Sequence, residues 1–278
     1  MNDDRDPSFR LPLERPLKLS LVLSSAIALL TALASIGGIV YGSAAYPTHE
    51  LLNSFMPTDV TLLAVGLPML VGSMAGARHG RWVGLLLWPG ALLFILYNYV
   101  AYLLAMPLNV FFLLHLALVA LCVYGLIDLL TCVDSEAIAQ RLAGTLPQRF
   151  SGGLLAVLGL LFLLRALSVL LMAVLRQTPL AATDIAVSAA DALVAPAWVV
   201  CGLLLLRGKA FGSITGLGLL FQASMLFVSL AIWMLLQPLL AQSALVATDL
   251  VVILLMGAIT FVPFWLYLRG VVLGQRAE

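Results

Sequence analysis

Eight runs of 19 to 25 predominantly apolar residues, at 19–41, 59–77, 82–104, 109–131, 151–175, 184–206, 213–236 and 245–268, constrain this chain more than any motif in it. A helix rising 1.5 Å per residue needs about 20 such residues to cross the hydrocarbon core of a bilayer. Strands of a membrane barrel alternate apolar and polar residues, so unbroken runs of this length predict helices. Composition agrees: 63% of the 278 residues are hydrophobic and 10% are charged, against about 45–50% and about 25% in soluble domains. Even a large soluble domain leaves about a quarter of its chain surface wet, which is too much for a chain this apolar. The expectation is an all-α, polytopic transmembrane bundle of eight helices in a lipid bilayer. A net charge of +1 excludes a nucleic-acid binder working through a basic face, and the hydrophobicity excludes intrinsic disorder.

Orientation follows from where Lys and Arg fall, because cytoplasmic loops collect them. An N-terminus in the cytoplasm places Arg5, Arg10, Arg15 and Lys18, then Arg78 and Arg81, Arg141 and Arg149, Arg207 and Lys209, and Arg269 and Arg276 on the inner side, 12 of the 14 basic residues. Both termini are therefore expected inside. Residues 1–18 form a cytoplasmic segment and 19–278 a single transmembrane domain. Ser43-Ala44-Ala45 loosely resembles a signal-peptide cleavage site, but the apolar run before it is longer than the 7–15 residues of a signal peptide, so the first helix is expected to be retained. Cys122, Cys132 and Cys201 fall in or on the cytoplasmic side of the membrane at no ligand spacing, and are expected as small apolar fillers without disulfides.

Two parallel four-helix halves are suggested, about 19–131 and 151–268, joined by a cytoplasmic linker at 132–150. Helices 2 and 6 share a proline near the middle (Pro68, Pro196) and a basic stop (Arg78-His79-Gly80-Arg81, Arg207-Gly208-Lys209). The four helices that start outside each begin with an acid or amide, Asp59, Asn109, Asp184 and Asp249. These are expected as caps that accept from the first free helix N–H groups. Residues 48–55 suggest a separate short amphipathic helix in the outer loop, and Ile138 with Leu142 a short inner one. Pro68, Pro89, Pro196 and Pro263 are expected to interrupt their helices. Gly72-Ser73-Met74-Ala75-Gly76 and Gly212-Ser213-Ile214-Thr215-Gly216 are expected at close helix contacts.

The candidate functional residues are those that are costly in hydrocarbon, about 2.5–3.5 kcal/mol for Asp or Arg at a helix centre. Arg165 lies roughly 3 Å and Asp191 roughly 6 Å outside the midplane at 1.5 Å per residue. Their helices should be antiparallel neighbours, so an ion pair is predicted. Asn98 and His115 fall at similar depth on the next pair of helices, with Tyr97, Tyr99 and Tyr102 around them. If both halves face one centre, Arg165, Asp191, Asn98, His115 and Tyr102 would line one outward-facing pocket for a small polar or zwitterionic solute, with Arg for a carboxylate and Asp for an amine. The same residues also fit a dry packing clasp and an aromatic belt.

His49, His79 and His115 fall outside, inside and within the membrane, so bis-histidine haem and histidine-rich metal sites are not expected. No nucleotide-binding glycine loop follows a strand, and no nucleophile stands near a base. No cofactor, metal site or catalytic residue is expected. Leu96-Tyr97-Asn98-Tyr99, Pro107-Leu108-Asn109 and Phe111-Phe112-Leu113-Leu114-His115 resemble uncharacterised bacterial polytopic membrane proteins with a tyrosine-rich helix end and a Pro-x-Asn turn. The resemblance implies a bacterial inner membrane and no activity. Three functions remain open: binding or transport of a small polar solute, a structural or partner subunit of a membrane complex, and a membrane-embedded enzyme acting on a lipid-linked substrate.

Overall fold

The computed structural model describes residues 11–240 and 245–276. Arg5 and Arg10, and the side chain of Arg276, lie outside the described residues. The chain forms α1 (Lys18–Tyr41), α2 (His49–Thr61), α3 (Leu67–Arg78), α4 (Trp82–Ala105), α5 (Val110–Cys132), α6 (Ser135–Arg141), α7 (Gln148–Arg176), α8 (Ala182–Leu206), α9 (Ala210–Leu240) and α10 (Ala247–Arg276). A five-residue π-helical segment, Leu62–Gly66, joins α2 and α3 into one rod. With that rod counted once, eight helices among the described residues are long and apolar enough to cross a membrane. This is an integral membrane protein, a polytopic bundle of eight helices. Its outward faces carry large apolar residues, among them Leu29, Leu33, Leu164, Leu171, Leu255 and Trp265, as a lipid solvent permits.

The bundle is centred on α4, which buries Trp88, Phe94, Ile95, Tyr99 and Tyr102 and packs on α3, α5, α8 and α9. α1 lies against α5 and the α2–α3 rod, α7 against α8, and α10 against α9. One end carries the turns at 79–81 and 207–209 and the α6 linker. There the N-terminal arm pairs with the linker through Glu14 N–H to Cys132 O (2.9 Å) and Asp134 N–H to Pro12 O (3.1 Å), and Arg141 stacks over Trp82 at 5.5 Å. The opposite end carries the links 42–48, 106–109 and 177–181.

Two expectations about helix starts are corrected. The segment 48–55 is no separate helix but the beginning of the second spanning rod: Thr48 caps it by accepting from Leu51 N–H (3.2 Å). Asp59 therefore sits about three turns inside a helix and caps nothing. Asn109 does cap α5, accepting from Phe112 N–H at 2.9 Å. Asp184 and Asp249 lie in the first turns of α8 and α10, and Ala181 rather than Asp184 is the α8 cap position. The prolines also act more mildly than expected, since α4, α8 and α10 run on through Pro89, Pro196 and Pro263. Only beside Pro68 does the backbone widen into the π-helical segment, a form that absorbs a locally lost hydrogen bond.

Two hairpins, α3–α4 and α8–α9, correspond in detail. His79 N–H to Ala75 O, Gly80 N–H to Ala77 O and Arg81 N–H to Gly76 O recur as Arg207 to Leu203, Gly208 to Leu205 and Lys209 to Leu204, every partner displaced by 128 residues. Gly80 and Gly208 share a left-handed backbone, φ +73° and +65°. At the same displacement Gly84 packs on Gly76 and Ala77, and Gly212 on Leu204 and Leu205. Gly90 of α4 meets its own equivalent, Gly218 of α9, backbone to backbone, with the Gly218 carbonyl carbon 2.6 Å from where a Gly90 Cβ would stand. The polar residues do not follow: Val187 corresponds to Asp59 and Leu63 to Asp191. Because backbone cannot swing aside, Gly90→Ala is expected to destabilise the bundle by about 2 kcal/mol or more. Gly153→Ala, which meets nothing within 4 Å, should be near neutral, and comparison of their unfolding midpoints in detergent checks this.

Candidate functional site

Two buried aspartates lie on opposite sides of α4. Asp191 of α8 is 3% exposed. α7 and α8 approach closely through Gly152, Gly159 and Gly202; a Cβ on Gly202 would stand 2.7 Å from Ala156 N. The hairpin thereby sets Arg165, eleven residues before the end of α7, level with Asp191, nine residues into α8. The expected ion pair forms, Arg165 Nη1 to Asp191 Oδ2 at 2.9 Å. The second carboxylate oxygen accepts from the Tyr97 hydroxyl of α4 at 2.9 Å. The arginine side chain is 56% exposed, so the pair runs from the lipid-facing surface into the core.

Beside Asp191 lies a cavity lined by Tyr97, Phe162, Val194, Ala195, Trp198 and Leu226. It has room for about one water molecule. Trp198 stands edge-on to Phe162 and donates its indole N–H to Gln222 Oε1 at 2.7 Å, while Gln222 Nε2 is buried without a hydrogen-bond partner. Gln222, fully buried on α9, was not singled out from the sequence, although a lone amide in an apolar run is a visible signal.

The second aspartate, Asp59, is 1% exposed. It accepts hydrogen bonds from the Tyr46 hydroxyl and, at 2.8 Å, from the Tyr102 hydroxyl of α4, which also reaches Phe55 O at 3.1 Å. Burial, and next the adjoining Asp59 charge, push the Tyr46 phenol above its ordinary range, so it stays a donor. Gly38 of α1 faces this contact; a Cβ there would run into both the Tyr46 hydroxyl and the Asp59 carboxyl. Around the pair lie the rings of Phe55, Tyr99 and His115, with Tyr102 and His115 centroids 4.9 Å apart. His115 is buried and its Nδ1 has no hydrogen-bond partner among the described residues.

The five residues proposed as one pocket thus fall in three places. Arg165 and Asp191 meet. Tyr102 and His115 meet each other around Asp59. Asn98 joins neither group: its amide donates to Phe94 O one turn back, at 2.9 Å. The two centres are separated by the body of α4, which turns Tyr97 to one and Tyr99 and Tyr102 to the other. Among the described residues no three of His, Cys, Asp and Glu gather as a zinc or other transition-metal site would require. No protein-family model, curated protein or solved structure matches the chain.

Proposed function

We propose that this membrane protein binds a small polar solute at the Asp191 centre and carries it across a bacterial inner membrane, with both termini cytoplasmic and the described conformation closed. The observation that carries this reading is that the central helix α4 commits tyrosine hydroxyls on two faces to two buried carboxylates. Each acid costs about 2.5–3.5 kcal/mol to hold within a bilayer, and leucine would pack either place without that cost. At the Asp191 centre the guanidinium of Arg165 suits a carboxylate on the solute, Asp191 suits an amine, and Tyr97, Phe162 and Trp198 supply an aromatic wall. Admission requires α7 to move from α4 and α9, because the cavity holds about one water. Asn98, Tyr102 and His115 take no part in this site.

A second reading is favoured by that small cavity: Arg165, Asp191 and Tyr97 form a dry clasp in a structural or partner subunit. Thiol labelling separates the two. With Cys122, Cys132 and Cys201 replaced, a single cysteine at Val194, on the cavity wall, is expected to react with a membrane-impermeant reagent, while one at Leu164, 54% exposed on the outer face of α7, stays protected. Protection of both in folded protein would leave the clasp as the function of the centre.

A further inference from the structure

We propose that Asp59, Ser35, Tyr46 and Tyr102 form a binding site for one alkali-metal cation, independent of any solute at Asp191. The first observation is electrostatic. Asp59 is 1% exposed and has no basic partner among the described residues; the Tyr46 and Tyr102 hydroxyls bond its carboxyl. A carboxylate in such surroundings is not held ionised and unpaired: it takes up a proton or a cation, unlike Asp191, which has Arg165. The second observation is independent of the charge. Ser35 Oγ of α1, fully buried, lies beside the Asp59 carboxyl and the Tyr99 hydroxyl without a well-formed hydrogen bond, and Thr31 Oγ1, one turn earlier, has none either. Buried hydroxyls ordinarily find partners.

Oxygen atoms therefore converge from α1, the 42–48 link, α2 and α4 around one negative charge. Hard cations take oxygen ligands of this kind, carboxylate together with neutral oxygens. One formal charge is balanced by one monovalent ion. A divalent ion would leave an uncompensated positive charge, and magnesium sheds its water reluctantly. The ion turns the hydroxyl lone pairs of Tyr46, Tyr102 and Ser35 towards itself. Tyr46 reaches the site from the 42–48 link, outside the spanning helices.

The test is thermal unfolding of purified full-length protein in detergent, with sodium, potassium or lithium chloride replacing N-methylglucamine chloride at constant ionic strength and pH. At least one of the three salts is expected to raise the wild-type midpoint saturably, by about 5 °C at high occupancy. Asp191→Asn should keep the shift, Asp59→Asn should lose it, and Ser35→Ala should require a several-fold higher concentration. Radioactive sodium retained by the wild type, where sodium is the active ion, should approach about one per chain. A wild-type midpoint equal in all four chlorides overturns the proposal. So does an undiminished shift in Asp59→Asn or, should that variant fail to fold, an unchanged titration in Ser35→Ala. The Asp191→Asn arm separates the outcome from that of the solute site.

Discussion

Arg165→Leu is expected to destabilise the bundle by about 3 kcal/mol, Asp191→Leu by only about 1 kcal/mol, and the double substitution by no more than Asp191→Leu alone. The asymmetry follows from the side-chain exposures of 56% for Arg165 and 3% for Asp191. Loss of the arginine strands a carboxylate in the core with only the Tyr97 hydroxyl for a partner. Loss of the aspartate instead frees a guanidinium already half outside, on a stem long enough to turn towards the headgroups. Its cost is chiefly the Tyr97 hydroxyl left without an acceptor. A double-mutant cycle of unfolding in detergent measures the coupling. Equal losses in the two single variants would show that the guanidinium is as confined as the carboxylate, and the description of a surface-to-core pair would fail. The same variants bear on function, because a solute carrier should lose uptake in the double variant even though its stability returns.

The spans were legible because apolar length is the direct physical requirement for crossing a bilayer, and nothing in the chain competes with that signal. Arg165 and Asp191 were legible as a pair for a related reason: a short turn makes α7 and α8 antiparallel neighbours, and counting 1.5 Å per residue from that turn gives both depths. Asp59 was misread because it stands where a polar stretch meets an apolar run, the place where an aspartate normally caps a helix. Within the longer helix Pro57 cannot donate to Asn53 O one turn back. The structure meets that loss from another helix, with Gln237 Nε2 of α9 donating to Asn53 O at 2.9 Å while Trp233 donates to Ser54 O at 2.8 Å. Such a long-range repair leaves no local mark in the sequence. The grouping of Asn98 and His115 with Asp191 failed for a similar reason. Depth can be counted along a helix, but the face each residue presents depends on how α4 is rotated within the bundle, and depth does not fix rotation.

Gly38→Ala is expected to cost about 2–3 kcal/mol in stability and to abolish the response to alkali cations, as overpacking at a buried polar contact should. The added methyl would overlap both the Tyr46 hydroxyl and the Asp59 carboxyl, with Asp59 Cγ 2.9 Å away. Neither group has an easy escape: Asp59 is anchored by Tyr102 from α4, and Tyr46 is 4% exposed beneath the end of the bundle. The neighbouring glycine is the control. A Cβ on Gly37 meets only the edge of the Phe111 ring, at 3.2 Å, and a ring edge can give by a few tenths of an ångström, so Gly37→Ala should cost under about 1 kcal/mol. Rescue distinguishes a specific clash from general damage to α1. Tyr46→Phe removes one of the two groups in the way, and with Gly38→Ala it should recover part of the stability without the cation response, because one oxygen ligand is gone. Recovery of both would mean that Tyr46 supplies no ligand. Unchanged stability in Gly38→Ala alone would mean that Tyr46 and Asp59 do not meet across α1.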